Sequence, residues 1–216
     1  MDIAIAGGHG RVARLLTRRL VQTDDRVRAL IRNPAHAPAV TADGAAPVVV
    51  DLEQAEPSTV ADLIRGCDAV VFAAGAGPGS GAARKETVDY GAAVRLIDAA
   101  KAAGVGRYVM VSAMGTDAPP ATDDVFSVYL RAKARADQAL MDSGLDWTVV
   151  RPGRLTDDPG TGQVTAARHV RRRAISREDV AAALAAVVHE PATAGVIFEL
   201  VGGETPIAEA IASLVS

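Results

Sequence analysis

Aromatic residues are scarce, at 3% of the 216-residue chain. Platforms for single-stranded nucleic acid are built from stacked rings, so such a role is not expected. A surplus of basic charge is also missing. Lys and Arg number 23 against 26 Asp and Glu, a net charge of −3, which argues against the footprint of any nucleic-acid partner. The lone cysteine, Cys67, excludes an internal disulfide and a cysteine metal cluster, and implies a reducing, cytoplasmic setting. Four histidines (His9, His36, His169 and His189) show no ligand spacing, so no metal is expected. No apolar run reaches membrane-spanning length, and the N-terminus lacks the basic segment and long apolar run of a signal peptide. No membrane partner is expected.

What remains is a hydrophobic share of 49% and a mean hydropathy of +0.17, much of it alanine. That composition suits one well-buried domain over residues 1–216, with 151–216 as a small substrate-side segment. Valine-rich runs without alternation predict strands at Ile3–Ala6, Arg26–Ile31, Pro47–Val50, Ala69–Ala74, Tyr108–Val111, Thr148–Val150 and Val196–Leu200, with a short extra one at Gln163–Ala167. Helical patterns fall at Arg11–Val21, Ser58–Arg65, Thr87–Ala103, Asp124–Ser143, Arg177–Val188 and Ile207–Leu214. Their alternation predicts a doubly wound α/β fold: a mostly parallel, Rossmann-type sheet with helices on both faces.

The most informative stretch is Ile3 to Ala13. A buried-type strand runs into Gly7-Gly8-His9-Gly10 and then a helix, with Gly7, Gly10 and Ala13 spaced as G-x-x-G-x-x-A. Glycine lets the backbone approach a phosphate, and the first helical turn points free N–H groups at it. The expected ligand is a nicotinamide dinucleotide. The second strand ends on Arg32, where an NAD site would carry an acid. A guanidinium can grip a 2′-phosphate, so NADP(H) is expected over NAD(H); a solvated strand-end arginine is the alternative. His9 and Arg11 would add positive potential. Asp51, at the end of the third strand, either accepts from the adenine amine or caps its own turn. Ala73, Ala74 and Gly75 leave room for a ribose, and Pro78–Gly81 reads as a flexible loop.

The chemistry is expected after the fifth strand. Ser112 lies at that strand's C-terminal end, and Tyr129 and Lys133 follow one helical turn apart. Reducing a carbonyl by hydride leaves charge on oxygen, so a proton must arrive. A free phenol, with a pKa of about 10, releases one slowly; an adjacent ammonium would lower that value. Ser112 would hold the substrate oxygen. Asp89 begins on the buried side of its helix, as a first-turn acid or a supporting active-site group. Arg151 could hold a phosphate or an acidic substrate, and the run His169–Arg173 is either a solvated face or a site for an anion.

Together these pieces resemble the short-chain dehydrogenase/reductase superfamily, in the small atypical branch that includes biliverdin reductase B-like and NmrA-like NAD(P)H-binding proteins. The matching motifs are Gly7 to Ala13, Arg32-Asn33-Pro34, Asp51-Leu52, Val88-Asp89-Tyr90, Val111-Ser112-Ala113, Tyr129 to Lys133, Thr148 to Gly153 and Ile175 to Ala181. The resemblance implies that Ser112, Tyr129 and Lys133 form a catalytic triad. Cofactor contacts would come from Gly7, His9, Gly10, Arg11, Val12, Arg32, Asp51, Leu52, Ala73, Ala74, Gly75, Lys133, Arg151 and Pro152. Two departures stand out: Asp89 replaces a common asparagine, and Ala113 a common second serine. The expected function is hydride transfer from NAD(P)H to a small carbonyl, quinone or flavin-type acceptor, by a monomer or homodimer. An NADP(H)-sensing regulator and an epimerase or dehydratase are the alternatives.

Overall fold

A strand buried on both faces needs apolar side chains pointing both ways, and β1 (Asp2–Ala6) supplies them. Ile3 and Ile5 enter one core layer, Ala4 and Ala6 the other, and all four are fully buried. The computed structural model describes residues 1–77 and 79–215. Beside β1 lie β2 (Arg26–Ile31) and β3 (Ala46–Val49) on one side, and β4 (Ala69–Phe72), β5 (Arg107–Val111) and β6 (Asp146–Pro152) on the other. After β6 come β7 (Arg154–Thr156), β8 (Gln163–Ala167), β9 (Ala174–Ser176), β10 (Val196–Gly202) and β11 (Thr205–Pro206). The nine-stranded sheet runs β11-β8-β10-β6-β5-β4-β1-β2-β3, while β7 and β9 pair separately. Pairing is parallel from β3 to β10; only β8 against β10 and β11 is antiparallel.

Helices cover both faces. On one side α1 (Arg11–Gln22) packs against α7 (Arg177–His189), burying Leu16, Leu20, Val180 and Leu184 over Ile3, Ile5, Val71 and Phe198. On the other lie α3 (Pro57–Ile64), α5 (Ala93–Ala103) and α6 (Val125–Met141), with Val60, Leu96 and Leu140 over Val70, Phe72 and Met110. Among the described residues, two α-helix starts are held by side chains. Asp124 accepts from Phe126 and Ser127 N–H ahead of α6, and Ser176 Oγ accepts from Asp179 N–H ahead of α7.

Strand and helix bounds differ from expectation by one or two residues except in three places. A 3-10 turn at Pro34–His36 leads into a short α2 (Ala37–Ala42), where no element was anticipated. The helix expected from Thr87 starts at Gly81. There α4 (Gly81–Arg84) continues through π-helical turns, Lys85–Ala92, into α5. The expected flexible loop is therefore shorter; its Pro78 lies outside the described residues. Last, β7, β9 and β11 were not anticipated, being only two or three residues each.

Candidate functional site

Strand order reverses between β1 and β4, and this opens a crevice at the carboxyl ends of the strands. Gly7 follows β1 there with a left-handed φ of +75°, and a Cβ on it would stand 2.6 Å from Ala74 Cα. No side chain larger than hydrogen fits. Gly10 caps α1 without a side-chain hydrogen bond, and the first turn carries no acid, so its N–H groups face the crevice as a ready anion site. Gly7, His9, Gly10, Arg32, Asp51, Leu52, Ala73, Ala74 and Gly75 all line this crevice of about 370 Å³. The surfaces a bound dinucleotide needs are thus present: a glycine turn packed directly on the segment after β4, and an uncapped helix end.

The charges around the crevice differ from expectation. His9 stacks on His36 with ring centroids 3.7 Å apart. Burial, then His36 and Arg14, lower its pKa from an ordinary 6.5, with Asp43 opposing, so His9 carries no charge at neutral pH. Arg11 points away to Asp157, 2.5 Å, which also binds Arg177 at 2.7 Å. The positive potential expected from His9 is thus weakened by its lowered pKa, and that from Arg11 is offset by Asp157. Arg32 Nη1 lies 2.8 Å from Glu53 Oε1, an oxygen it shares with Arg84 Nη2 at 2.5 Å; Thr87 Oγ1 donates to the other oxygen at 2.7 Å. Glu53 and Arg84 were not singled out in the sequence, since they meet only when α4 folds over the end of β3. Arg84 Nε is buried and has no hydrogen-bond partner among the described residues. Asp51 Oδ1 accepts from Glu53 N–H at 2.9 Å, so Asp51 makes the turn cap.

Ala73, Ala74 and Gly75 also line a second cavity, of about 580 Å³, with Val12, Ser112, Tyr129, Lys133 and Pro152. Lys85 and Asp89, both from the π-helical segment, complete its polar wall. Wide turns of this kind gather at functional sites because they re-aim side chains. Lys133 is 3% exposed; Nζ donates to the Val111 carbonyl at 3.0 Å and stands 3.7 Å from Asp89 Oδ1. Lys85 Nζ donates to Gly77 O at 2.7 Å and lies 5.5 Å from the centre of the Tyr129 ring. Asp89 is fully buried; Oδ2 accepts from Ala76 N–H, while Oδ1 makes no hydrogen bond.

The electrostatics reverse one expectation. Tyr129 was expected to have a pKa lowered by Lys133. Burial raises it well above the ordinary phenol value instead, and Asp89 and Asp137 raise it further. Burial lowers the pKa of Lys133, opposed by the same two carboxylates. Ser112 is also placed differently from expectation: its Oγ donates to Asp137 Oδ2 at 2.9 Å. Asp137 is 1% exposed, and burial raises its pKa against the pull of Ser112 and Arg151. Arg151, expected at the cofactor, is buried with Nε and Nη2 on Asp137 at 3.1 and 3.0 Å and Nη1 on Asp117. It serves a buried carboxylate, because the alternation of β6 turns its side chain toward α6. Asp137 was legible in principle: Tyr129, Lys133 and Asp137 recur every four residues on one helix face.

The histidines are less scattered in space than in sequence. Asp117, His169 and Glu199 bring one donor atom each within 4.8 Å of one another. Asp117 already accepts from Arg151, and Glu199 from Val170 N–H.

The fold and crevice define a dinucleotide-binding α/β protein of the doubly wound class. Within it, the chain belongs to the NAD(P)H-binding family, which matches residues 7–191. It is 37% identical over 215 residues to the uncharacterized sugar epimerase YhfK of Bacillus subtilis, covering 99% of this chain and 100% of that one. A solved Bacillus halodurans structure named for NAD-dependent epimerases/dehydratases superposes with a TM-score of 0.93 at 37% identity, over 99% of this chain and 100% of the other. The oxidoreductase ylbE of Lactococcus lactis superposes at 0.89 with 30% identity, over 100% of this chain and 97% of the other. Among the described residues, no helix is long and apolar enough to cross a membrane.

Proposed function

We propose that this protein is an NADPH-dependent reductase of a small carbonyl, quinone or flavin-type acceptor. The observation that carries the reading is the continuity of two cavities. Ala73, Ala74 and Gly75 form the wall of the nucleotide crevice and also of the chamber that holds Tyr129 and Lys133. NADPH, when bound, supplies the hydride. The chain supplies the rest. Gly7, Gly10 and the N–H groups of α1 hold a pyrophosphate. Arg32 and Arg84, one of them with a spare buried Nε–H, hold a 2′-phosphate. Tyr129 donates a proton to the acceptor oxygen as that oxygen gains charge. Lys133, an ammonium held against Val111 O and Asp89, stabilises that charge and fixes the cofactor ribose. Ser112 spends its proton on Asp137, so it offers the acceptor a lone pair rather than a hydrogen bond.

An epimerase or dehydratase is the second reading, favoured by the names of two relatives. Such a reaction begins by taking a proton from an alcohol, which calls for a phenolate. The raised pKa of Tyr129 disfavours a resting phenolate and equally makes the phenol a weaker proton donor, so net consumption of nucleotide, not this pKa, separates the two readings. The test is a titration with NADPH and NADH, followed by a carbonyl and quinone panel. Stoichiometric loss of reduced nucleotide with tighter NADPH binding is expected. Equal or tighter NADH binding removes the NADP preference. Product formation without net nucleotide consumption replaces the reductase by the epimerase, and absence of nucleotide binding removes both.

A further inference from the structure

The chamber around Tyr129 does not end there. Ala113, Phe126, Tyr129, Pro152 and Gly153 are shared with a further cavity of about 580 Å³ leading away from the nucleotide crevice. Its outer wall carries Arg154, Arg172 and Arg173. They lie together on this cavity in a chain of net charge −3. All three are exposed and form no ion pair or side-chain hydrogen bond among the described residues, whereas Arg11, Arg32 and Arg135 on other surfaces are each paired with a carboxylate. The basic segment is seated by two glycines. A methyl group on Gly115 (φ +95°) would stand 2.7 Å from Arg172 Nη2, and one on Gly153 would overlap the Arg173 carbonyl oxygen at 2.1 Å. Phe126, 58% exposed, lies across the mouth, with its ring centre 5.9 Å from that of Tyr129.

Resting on the reductase reading, we infer that the acceptor is an organic anion. An apolar ring-bearing body lies between Met114, Phe126 and Pro152, and a carboxylate or phosphate is held by Arg172 and Arg173 with Arg154 beside them. Unpaired guanidiniums around an apolar cavity recognise such a molecule by charge-assisted hydrogen bonds at one end and burial at the other. The same arrangement gives the pocket a direction, because the anionic end is kept at the rim and the reducible end is presented to Tyr129.

The test uses the full chain and a matched pair of fluorescent probes: anionic 8-anilinonaphthalene-1-sulfonate and its uncharged counterpart N-phenyl-1-naphthylamine, each titrated with and without saturating NADP+. In the double variant R172A/R173A the sulfonate is expected to bind about tenfold or more weakly, while the neutral probe is unaffected. F126A should weaken both probes, and R19A, far from the cavity, neither. Displacement of the sulfonate by 1-naphthoate or by 1-naphthyl phosphate tells which anion is preferred. Unchanged sulfonate binding in the double variant, or equal loss of both probes, overturns the inference. Circular dichroism on each variant confirms that the comparison is between folded proteins. Nucleotide titration on the same samples is read separately. Its failure removes the reductase and leaves the probe contrast to judge the anion site on its own.

Discussion

The two halves of the crevice are built by different means. The nucleotide half is shaped by backbone: Gly7 pressed on Ala74, Gly10 open at the end of α1, small residues after β4. The acceptor half is shaped by buried charge. Lys85, Asp89, Lys133, Asp137 and Arg151 are each under one-tenth exposed and meet from two helical segments and a strand. Backbone cradles tolerate many ligands that share a phosphate, which is how one fold serves many reactions. Buried charges are costly unless each finds its partner, so they specify one arrangement and one chemistry.

The strongest way to separate the halves is Tyr129→Phe. It should cost about 10²–10⁴ in kcat/KM while leaving nucleotide affinity unchanged. Unchanged turnover would mean that the proton comes from elsewhere. The pH profile sharpens the same point. Tyr129 stays protonated across the working range because its pKa is raised, so the alkaline limb belongs to Lys133. Burial lowers that pKa, and the ammonium is lost as pH rises through it. The limb should therefore fall below 10.5, and move up in Lys133→Arg. A limb unmoved by that variant would take Lys133 out of the reaction.

Next in size is Asp137→Asn. It leaves Arg151 buried with half its partners and should destabilise the fold by about 3–5 kcal/mol, read by denaturant unfolding. The double change Asp137→Leu with Arg151→Met should recover most of that stability, since only the exposed Asp117 then loses its arginine partner and no charge is left buried. If the single variant costs nothing, the buried pair does not hold the acceptor half together. Gly7→Ala makes the contrasting case. Overpacking against Ala74 should cost about 1–3 kcal/mol and abolish tight nucleotide binding. Gly66→Ala, with φ +76° but nothing within 4 Å, should cost only about 1–2 kcal/mol of strain and spare the nucleotide.

The same contrast explains what could be read from the residues in order. Gly7, Gly10, Arg32, Asp51 and the Ala73–Gly75 run are local features. A strand end and a glycine spacing announce them, and the crevice gathers them. The acceptor half depends on contacts between residues far apart in the chain. Ser112 meets Asp137 across 25 positions, and Arg151 meets Asp117 across 34. Arg151 read as a cofactor residue because a strand end suggests a ligand, while the carboxylate that captures it sits on a separate helix. Lys85 went unseen because the helix was expected to begin two residues later, and a π-helical turn has no hydrophobic period to betray it.

Glu53 is the exception that tests the division, since it places a long-range charge in the nucleotide half. Its carboxylate holds Arg32 and Arg84 together and at the same time competes for them with any 2′-phosphate. The arginines are about half and two-fifths exposed, so water screens the competition and its energy is small. Glu53→Gln keeps the shape and one acceptor oxygen but removes the negative charge. It should tighten NADP(H) by about 1 kcal/mol or less, leave NAD(H) unchanged, and lose its effect as salt is raised. Isothermal titration of both nucleotides at two ionic strengths reads the ratio. A fall in the NADP(H) preference would mean that Glu53 acts chiefly by positioning the two guanidiniums, and the nucleotide half would then depend on a charge network as the acceptor half does.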